Sequence, residues 1–214
     1  MNTIIVEGGK DMGNRIYPIG IQNFEKIRKE GYVYVDKTAL MYKLVKSGSY
    51  YFLSRPRRFG KSLLISTLEA YFEAKRDLFE GLAVETLEKD WVKRPVFHLD
   101  LNIGKYDTPD SLDKILNETL DYWESLYGTR SAETTLALRF AGVVGRAYEQ
   151  SGERVAILID EYDKPLLQAI GNEELQREFR NTLKPFYGVL KTMDGCIKFA
   201  LLTGVTKFGK VSVF

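Results

Sequence analysis

A short segment of the chain has the residue types that surround phosphate groups in proteins. Gly60, Lys61 and Ser62 form the second half of the pattern G-x-x-x-x-G-K-[ST], which places backbone N–H groups and a lysine around phosphate oxygens. Arg55 stands where the pattern has its first glycine. The segment predicts a phosphate-binding loop that departs from the general pattern at one position; an accidental GKS tripeptide in an ordinary loop is the alternative.

The residues of this loop suit the parts of a nucleoside triphosphate. Gly60 has no Cβ and lets the backbone approach closely, while Lys61 brings a positive charge to the β- and γ-phosphates. The Ser62 hydroxyl is a candidate ligand of Mg²⁺. Arg57 and Arg58 add positive charge that could contact phosphate or a neighbouring subunit. The predicted nucleotide-binding residues are Arg55, Pro56, Arg57, Arg58, Phe59, Gly60, Lys61, Ser62 and Leu63.

A second candidate segment ends the most apolar run of the chain. Residues 154–159 are nearly all aliphatic and are followed by Asp160 and Glu161. Because ligands of open α/β sheets collect at the carboxyl ends of strands, both carboxylates are expected near the phosphate loop. Asp160 is the predicted Mg²⁺ ligand, and Glu161 is the predicted base that orients and deprotonates an attacking water. A solvated polar turn after a buried strand is the alternative.

A third polar group follows a later apolar run. Thr203 ends the run 196–203, and Thr206 lies three residues further on. A polar side chain at the end of the strand beside a phosphate-loop strand can sense the γ-phosphate. Thr203 is therefore the predicted sensor and Thr206 the second choice, with an ordinary Thr/Gly turn as the alternative.

The periodicity of apolar residues predicts the elements that must position these groups. Strand and helix alternate after residue 50, which favours an α/β fold with a mostly parallel sheet. Upstream of the loop, Asp36 is expected to cap a helix. Strands are predicted at 32–35, 50–54, 95–102, 154–160 and 196–203, and helices at 22–30, 37–46, 61–79, 111–127, 133–150 and 172–193.

Length and composition set the broad class of protein. The 214 residues favour one large domain, at about 150 residues per domain, and we divide the chain into an N-terminal arm at 1–20 and a domain at 21–214. A net charge of +2 gives no global case for nucleic-acid binding. One cysteine and one histidine exclude an internal disulfide framework and a Cys/His zinc cluster. The cysteine usage and the absence of a signal-peptide pattern or membrane-length apolar run predict a cytoplasmic location.

Four segments resemble the AAA-ATPase-like domain family. They are YVYVDKTALMYKLV, YYFLSRPRRFGKSLLISTLEAYFEAKRDLFEGLAV, VAILIDEYDKPL and FALLTGVTKFGKVSVF, and the resemblance covers about residues 16–214. RPRRFGKS is the form of the phosphate loop in that family, so Arg55 departs from the general pattern and not from the family pattern. The family is mostly bacterial and often stands ahead of a PD-(D/E)XK-type nuclease domain.

The resemblance implies a P-loop NTPase three-layer α/β fold of the additional-strand type, in which helices flank the sheet and the acidic strand lies between other strands. It implies Lys61 and Ser62 on phosphate and Mg²⁺, Asp160 on Mg²⁺ and Glu161 as catalytic base. It further implies a final strand, a helical lid and a nuclease-like domain beyond residue 214. The unfinished apolar ending KVSVF also predicts that this chain is a fragment or the first domain of a longer protein.

We expect an ATP-binding domain that hydrolyses ATP with Mg²⁺ and couples nucleotide state to a partner, a following domain or a second copy of itself. The alternatives are a nucleotide-dependent switch with negligible turnover, a nucleic-acid or defence module whose arginine-rich loop touches a backbone, and a kinase or GTPase. The chain has no NKxD guanine-reading signal, which favours adenine. Tyr34, Asp36 and Lys37 are candidates to border the adenine.

Overall fold

A computed structural model describes residues 16–206 of the chain. The strands are β1 (Tyr50–Ser54), β2 (Val96–Asp100), β3 (Val155–Asp160) and β4 (Ile197–Gly204). The helices are α1 (Phe24–Lys29), α2 (Thr38–Ser47), α3 (Lys61–Phe72), α4 (Ala83–Leu87), α5 (Ser111–Tyr127), α6 (Leu136–Ser151), α7 (Lys164–Gln168) and α8 (Glu173–Thr192). Short 3-10 turns occur at Arg76–Phe79, Leu101–Ile103 and Asp194–Cys196.

The strands form one parallel sheet in the order β1-β4-β3-β2. Ser54 lies opposite Gly204, and Asp100 lies opposite Asp160, so the carboxyl ends of all four strands meet at one edge. The acidic strand β3 lies between β4 and β2, and β4 separates it from the phosphate-loop strand β1. This order confirms the predicted α/β fold with its inserted strand.

Alternate residues of β3 enter two different cores, which makes the fold three-layered. Val155, Ile157 and Ile159 pack with α5, α6 and α8 on one face, and Ala156 and Leu158 pack with α2 and α3 on the other. Every residue of β3 is buried. A strand covered on both faces can be apolar throughout its length, which explains why this run was the most apolar of the sequence.

Two predicted elements differ from the structure. The helix predicted over 61–79 ends at Phe72, because Ala74 adopts a left-handed conformation (φ 57°) and the Lys75 N–H donates to the Ala70 carbonyl. This is a C-terminal cap in which alanine occupies a position that usually holds glycine, so the residue types carry little sign of it. The strand predicted at 32–35 is wrong, since Tyr34 packs edge-on against Phe24 instead of joining the sheet.

The region before the phosphate loop is anchored by Asp36. Its Oδ1 accepts hydrogen bonds from the N–H and hydroxyl of Thr38 at the start of α2, and its Oδ2 accepts the N–H of Ala83. Burial would raise the pKa of Asp36, but these hydrogen bonds outweigh it and lower the pKa. The predicted cap by Asp36 is wrong in detail, because Lys37 is the N-cap residue of α2 and no side chain caps this helix. Asp36 instead binds the first residue of α2 and ties that helix to α4.

Of the predicted N-terminal arm at residues 1–20, residues 1–15 lie outside the described part of the chain. Within residues 16–206, no helix combines the length and the apolar character needed to cross a membrane.

Candidate functional site

The phosphate loop joins β1 to α3. Gly60 precedes the helix in a left-handed conformation (φ 77°), and α3 begins at Lys61. The first N–H groups of a helix have no partners within the helix, and the helix dipole favours an anion there. Because Gly60 has no side chain that could cap them, the N–H groups at the start of α3 are available to an anion.

The conformation of the loop accounts for arginine at position 55. The left-handed residues of the loop are Arg58 (φ 67°) and Gly60, and Arg55 is not among the residues with positive φ. The Arg55 N–H donates to the Gly204 carbonyl, so the backbone at this point still continues the pairing of β1 with β4. The loop turns further along the chain, and a side chain at position 55 is tolerated.

Lys61 connects the loop to the acidic strand end. Its side chain is only 4% exposed, and its ammonium lies 3.1 Å from Glu161 Oε1. The same Nζ donates to the carbonyls of Arg55 (3.1 Å) and Pro56 (3.3 Å). The structure therefore brings together two residues that lie 100 positions apart in the sequence.

Asp160 is buried and held by its neighbours. The Thr203 hydroxyl and the Glu161 N–H both donate to Asp160 Oδ1, the second at 3.1 Å. Thr203 is fully buried, and its hydroxyl is already engaged by the carboxylate. This geometry suits a residue that positions Asp160 better than the predicted direct sensor of the γ-phosphate.

Glu161 has a strained backbone. Its φ of 52° is uncommon for a residue with a side chain. Such conformations persist where the surrounding structure imposes them, and they concentrate at functional sites. At Glu161 the Lys61 ion pair fixes the side chain, and the hydrogen bonds to Asp160 and Thr203 fix the N–H.

Asp163 was missed by the sequence reasoning. It is fully buried, and its Oδ2 accepts the N–H groups of Val205 (2.9 Å) and Thr206 (2.6 Å) and the Thr206 hydroxyl (2.9 Å). It thereby fastens the segment after β4 to the segment after β3. The available signal was a third carboxylate three residues past Asp160, in the run DEYD. Thr206, the second-choice sensor, is used in this contact.

Tyr187 of α8 contacts the segment that follows β3. Its hydroxyl donates to the Tyr162 carbonyl at 3.3 Å. Burial raises the pKa of Tyr187 well above its usual value, so the hydroxyl remains a protonated donor.

A cleft of about 850 Å³ borders the phosphate loop and Glu161, a volume in the range of small-molecule sites. The buried Asp160 and Thr203 do not line it. Six of the nine predicted loop residues line it, together with Glu161; Arg55, Pro56 and Phe59 do not. Tyr34, Asp36 and Lys37 do not line it either. The lining residues are Pro18, Ile19, Gly20, Ile21, Gln22, Arg57, Arg58, Gly60, Lys61, Ser62, Leu63, Asn102, Glu161, Lys164 and Gln168.

The cleft carries more positive charge than the loop pattern predicts. Lys164, at the start of α7, adds a cation, and its Nζ donates to the side-chain oxygen of Asn102 at 2.7 Å and to the Asn102 carbonyl. Among residues 16–206, Lys164, Arg57 and Arg58 have no ion-pair partner. Such a cleft attracts anions.

The predicted Mg²⁺ ligands fit a hard cation. Ser62 Oγ and Asp160 Oδ2 are oxygen donors, which Mg²⁺ prefers. Neither atom forms a hydrogen bond with any residue of the described part of the chain, whereas Asp160 Oδ1 is used twice. Each residue therefore keeps an oxygen available for a cation or for the water molecules around it.

The parallel sheet, the position of β3 between two strands and the GKS loop before α3 define a P-loop NTPase-like α/β fold. The family model described as "Predicted AAA-ATPase" matches residues 18–214, and the chain belongs to this family. Membership gives it a general nucleotide-binding, ATPase-like role.

One curated relative is called "Uncharacterized protein in vnfD 5'region" and comes from Azotobacter chroococcum mcd 1. It is 42% identical to the chain over 205 residues, a match that covers 95% of the chain. The chain spans only 40% of the length of this relative. No solved structure matches the chain.

Proposed function

We propose that the chain is an ATP-binding domain that hydrolyses ATP with Mg²⁺ and couples its nucleotide state to a partner or to a further domain. The observation that carries this proposal is the contact between Lys61 of the phosphate loop and Glu161 of the acidic strand end, 3.1 Å apart in one cleft. Family membership supports nucleotide use.

Binding of ATP requires Lys61 to change partners. The free N–H groups at the start of α3 and the Lys61 ammonium bind the phosphate oxygens. Arg57 and Arg58 add attraction from the loop. As Lys61 turns to phosphate, its contact with Glu161 Oε1 breaks, and the carboxylate becomes free to accept a proton.

Hydrolysis then uses the two carboxylates in different ways. A carboxylate oxygen of Glu161 takes the proton of a water whose oxygen bonds to the γ-phosphorus, while the bond from that phosphorus to the β–γ bridging oxygen breaks and ADP leaves. Asp160, held at Oδ1 by the Thr203 hydroxyl, keeps its second oxygen available to hold a cation. Ser62 and Asp160 would hold Mg²⁺, which would supply neutralisation of the charge that develops on the phosphate oxygens.

Calorimetric titration with ATP and Mg²⁺ tests the binding step on the wild-type chain and on Lys61→Ala. We expect the variant to bind about 100-fold more weakly, because hydrogen bonds from a charged donor contribute up to about 3 kcal/mol. Lys105→Ala is the matched control, since Lys105 is an 83% exposed lysine outside the cleft. Equal affinities in all three proteins would exclude Lys61 from the site.

Phosphate release tests the catalytic step. Glu161→Gln removes the base and keeps the shape of the side chain, so turnover should be lost while ATP still binds. Negligible turnover already in the wild-type chain, with ATP binding intact, would favour the nucleotide-dependent switch.

A nucleic-acid role is a second candidate because Arg57 and Arg58 are exposed and have no ion-pair partner in residues 16–206. It predicts binding of nucleic acid without nucleotide, with a steep dependence on salt. Arg57→Ala with Arg58→Ala should abolish that binding and only weaken ATP binding.

A further inference from the structure

We propose that Lys164, oriented by Asn102, contacts the terminal phosphate of the nucleotide and lets the site distinguish a nucleoside triphosphate from a diphosphate. This inference rests on the proposed function and assigns a residue to the far side of the same cleft.

The sheet order places Lys164 across from the phosphate loop. The loop follows β1, Glu161 follows β3, and Asn102 follows β2, the strand on the other side of β3 from β4 and β1. The Lys164 N–H donates to the Glu161 carbonyl at 2.9 Å, so α7 starts directly behind the predicted base. Along the edge of the sheet, Glu161 therefore lies between the phosphate loop and the Lys164–Asn102 contact.

The two lysines of the cleft differ in their partners. Lys61 has a carboxylate 3.1 Å away, whereas Lys164 is held by two neutral oxygens of Asn102, the side-chain oxygen at 2.7 Å and the main-chain carbonyl. Neutral acceptors orient an ammonium group without cancelling its charge. A lysine has three N–H donors, so one donor of Lys164 remains for a ligand.

A fixed cation without a counter-charge is suited to an anionic ligand. Holding a long lysine side chain in one conformation costs entropy. Because the hydrogen bonds to Asn102 already order Lys164 in the free protein, less of this cost is added when a ligand binds. A donor oriented in advance interacts more strongly with charge in a site than one that must be ordered on binding. Arg57 and Arg58 belong to the phosphate loop itself and line the cleft beside Lys61.

The position of Lys164, across the cleft from the phosphate loop, determines which phosphate group it can contact. The N–H groups of α3 and the Lys61 ammonium hold the phosphates from the loop side, and the terminal phosphate must point towards Glu161 for hydrolysis. Lys164 lies beyond Glu161 from the loop, so the γ-phosphate is the one within its reach. ADP has no group at that place.

The affinities for ATP and ADP, each measured by calorimetry with Mg²⁺, test the proposal. Lys164→Gln should weaken ATP binding by about tenfold or more and leave ADP binding unchanged. Asn102→Asp keeps the lysine but places a carboxylate against it, and it should lower the ATP-to-ADP affinity ratio in the same direction. Lys105→Gln serves as the exposed-lysine control.

The outcomes separate the two proposals. If Lys164→Gln leaves the affinity ratio unchanged, or lowers both affinities equally, while Lys61→Ala still loses ATP, the γ-phosphate contact is wrong and the proposed function stands. If the wild-type chain binds neither nucleotide, both proposals fail. A ratio that falls in both Lys164→Gln and Asn102→Asp supports the contact, because a purely structural role would not distinguish ATP from ADP.

Discussion

Two ion pairs of similar burial have different surroundings in this molecule. In the cleft, Lys61 and Glu161 are 4% and 16% exposed, with 3.1 Å between Nζ and Oε1. Arg146 of α6 and Glu133, which precedes that helix, are 9% and 12% exposed, with 2.5 Å between Nη1 and Oε1. Burial and distance alone would place both pairs in one category.

The two ion pairs differ in the partners of the polar atoms that do not take part in the pair itself. Lys61 directs its remaining donors to the Arg55 and Pro56 carbonyls and borders the open cleft, so a phosphate can replace Glu161. Arg146 has Nε and Nη2 buried without a hydrogen-bond partner in the described residues, and Glu133 Oε2 is in the same condition. In the first pair, Lys61 can exchange Glu161 for a ligand in the cleft. The second pair, Arg146–Glu133, is closed to solvent, and some of its buried polar atoms have no hydrogen-bond partner in the described residues.

The largest expected effect comes from breaking the closed pair. Arg146→Ala leaves the Glu133 carboxylate buried without its cation, and we expect the free energy of unfolding to fall by about 3–5 kcal/mol. Urea unfolding followed by circular dichroism measures this change. The affinity for ATP of the folded fraction should not change, since neither residue lines the cleft.

The control replaces both partners. Glu133→Leu with Arg146→Met removes both charges and keeps apolar volume, so its stability should lie within about 1 kcal/mol of the wild type. A single variant as stable as the double variant would contradict the view that the pair is closed to water.

A smaller effect is expected at Gly142, which packs against the same carboxylate. A Cβ at this position would overlap the Glu133 carboxylate, so Gly142→Ala must displace the ion pair. We expect a loss of about 1–3 kcal/mol, as for other overpacked sites, measured by urea unfolding.

Gly188 provides the matched control, because it lies inside α8 and a Cβ there meets nothing within 4 Å. Gly188→Ala should stabilise the protein by up to about 1 kcal/mol through helix propensity. A gain in stability in both variants would show that Glu133 moves aside at no cost.

The smallest expected change in stability belongs to the cleft pair. Glu161→Gln keeps an oxygen that can accept from Lys61, and the open cleft admits water, so the free energy of unfolding should change by less than about 1 kcal/mol. Thermal or urea unfolding without nucleotide measures it. A loss of several kcal/mol would mean that this pair is a structural tie like Arg146–Glu133, and the comparison would break down.

The sequence predicted the parts of the site that have short, local signals. The GKS tripeptide and the acidic end of β3 follow apolar strands, and a parallel sheet brings such strand ends to one edge. Lys164 and Asn102 could not be paired in advance, since 62 residues separate them and α7 is too short to show helical periodicity. The Arg146–Glu133 pair depends on Gly142, where a missing side chain makes the space, and no motif marks that contact.

The parallel pairing of β1 with β4 also sets the order in which this domain can be assembled. Tyr50 lies opposite Ala200, and the Arg55 N–H at the start of the phosphate loop donates to the Gly204 carbonyl. At about 5–20 residues per second, a ribosome needs on the order of ten seconds to synthesise the chain that separates these partners. The loop is therefore synthesised early but gains its backbone support from β4 late in synthesis.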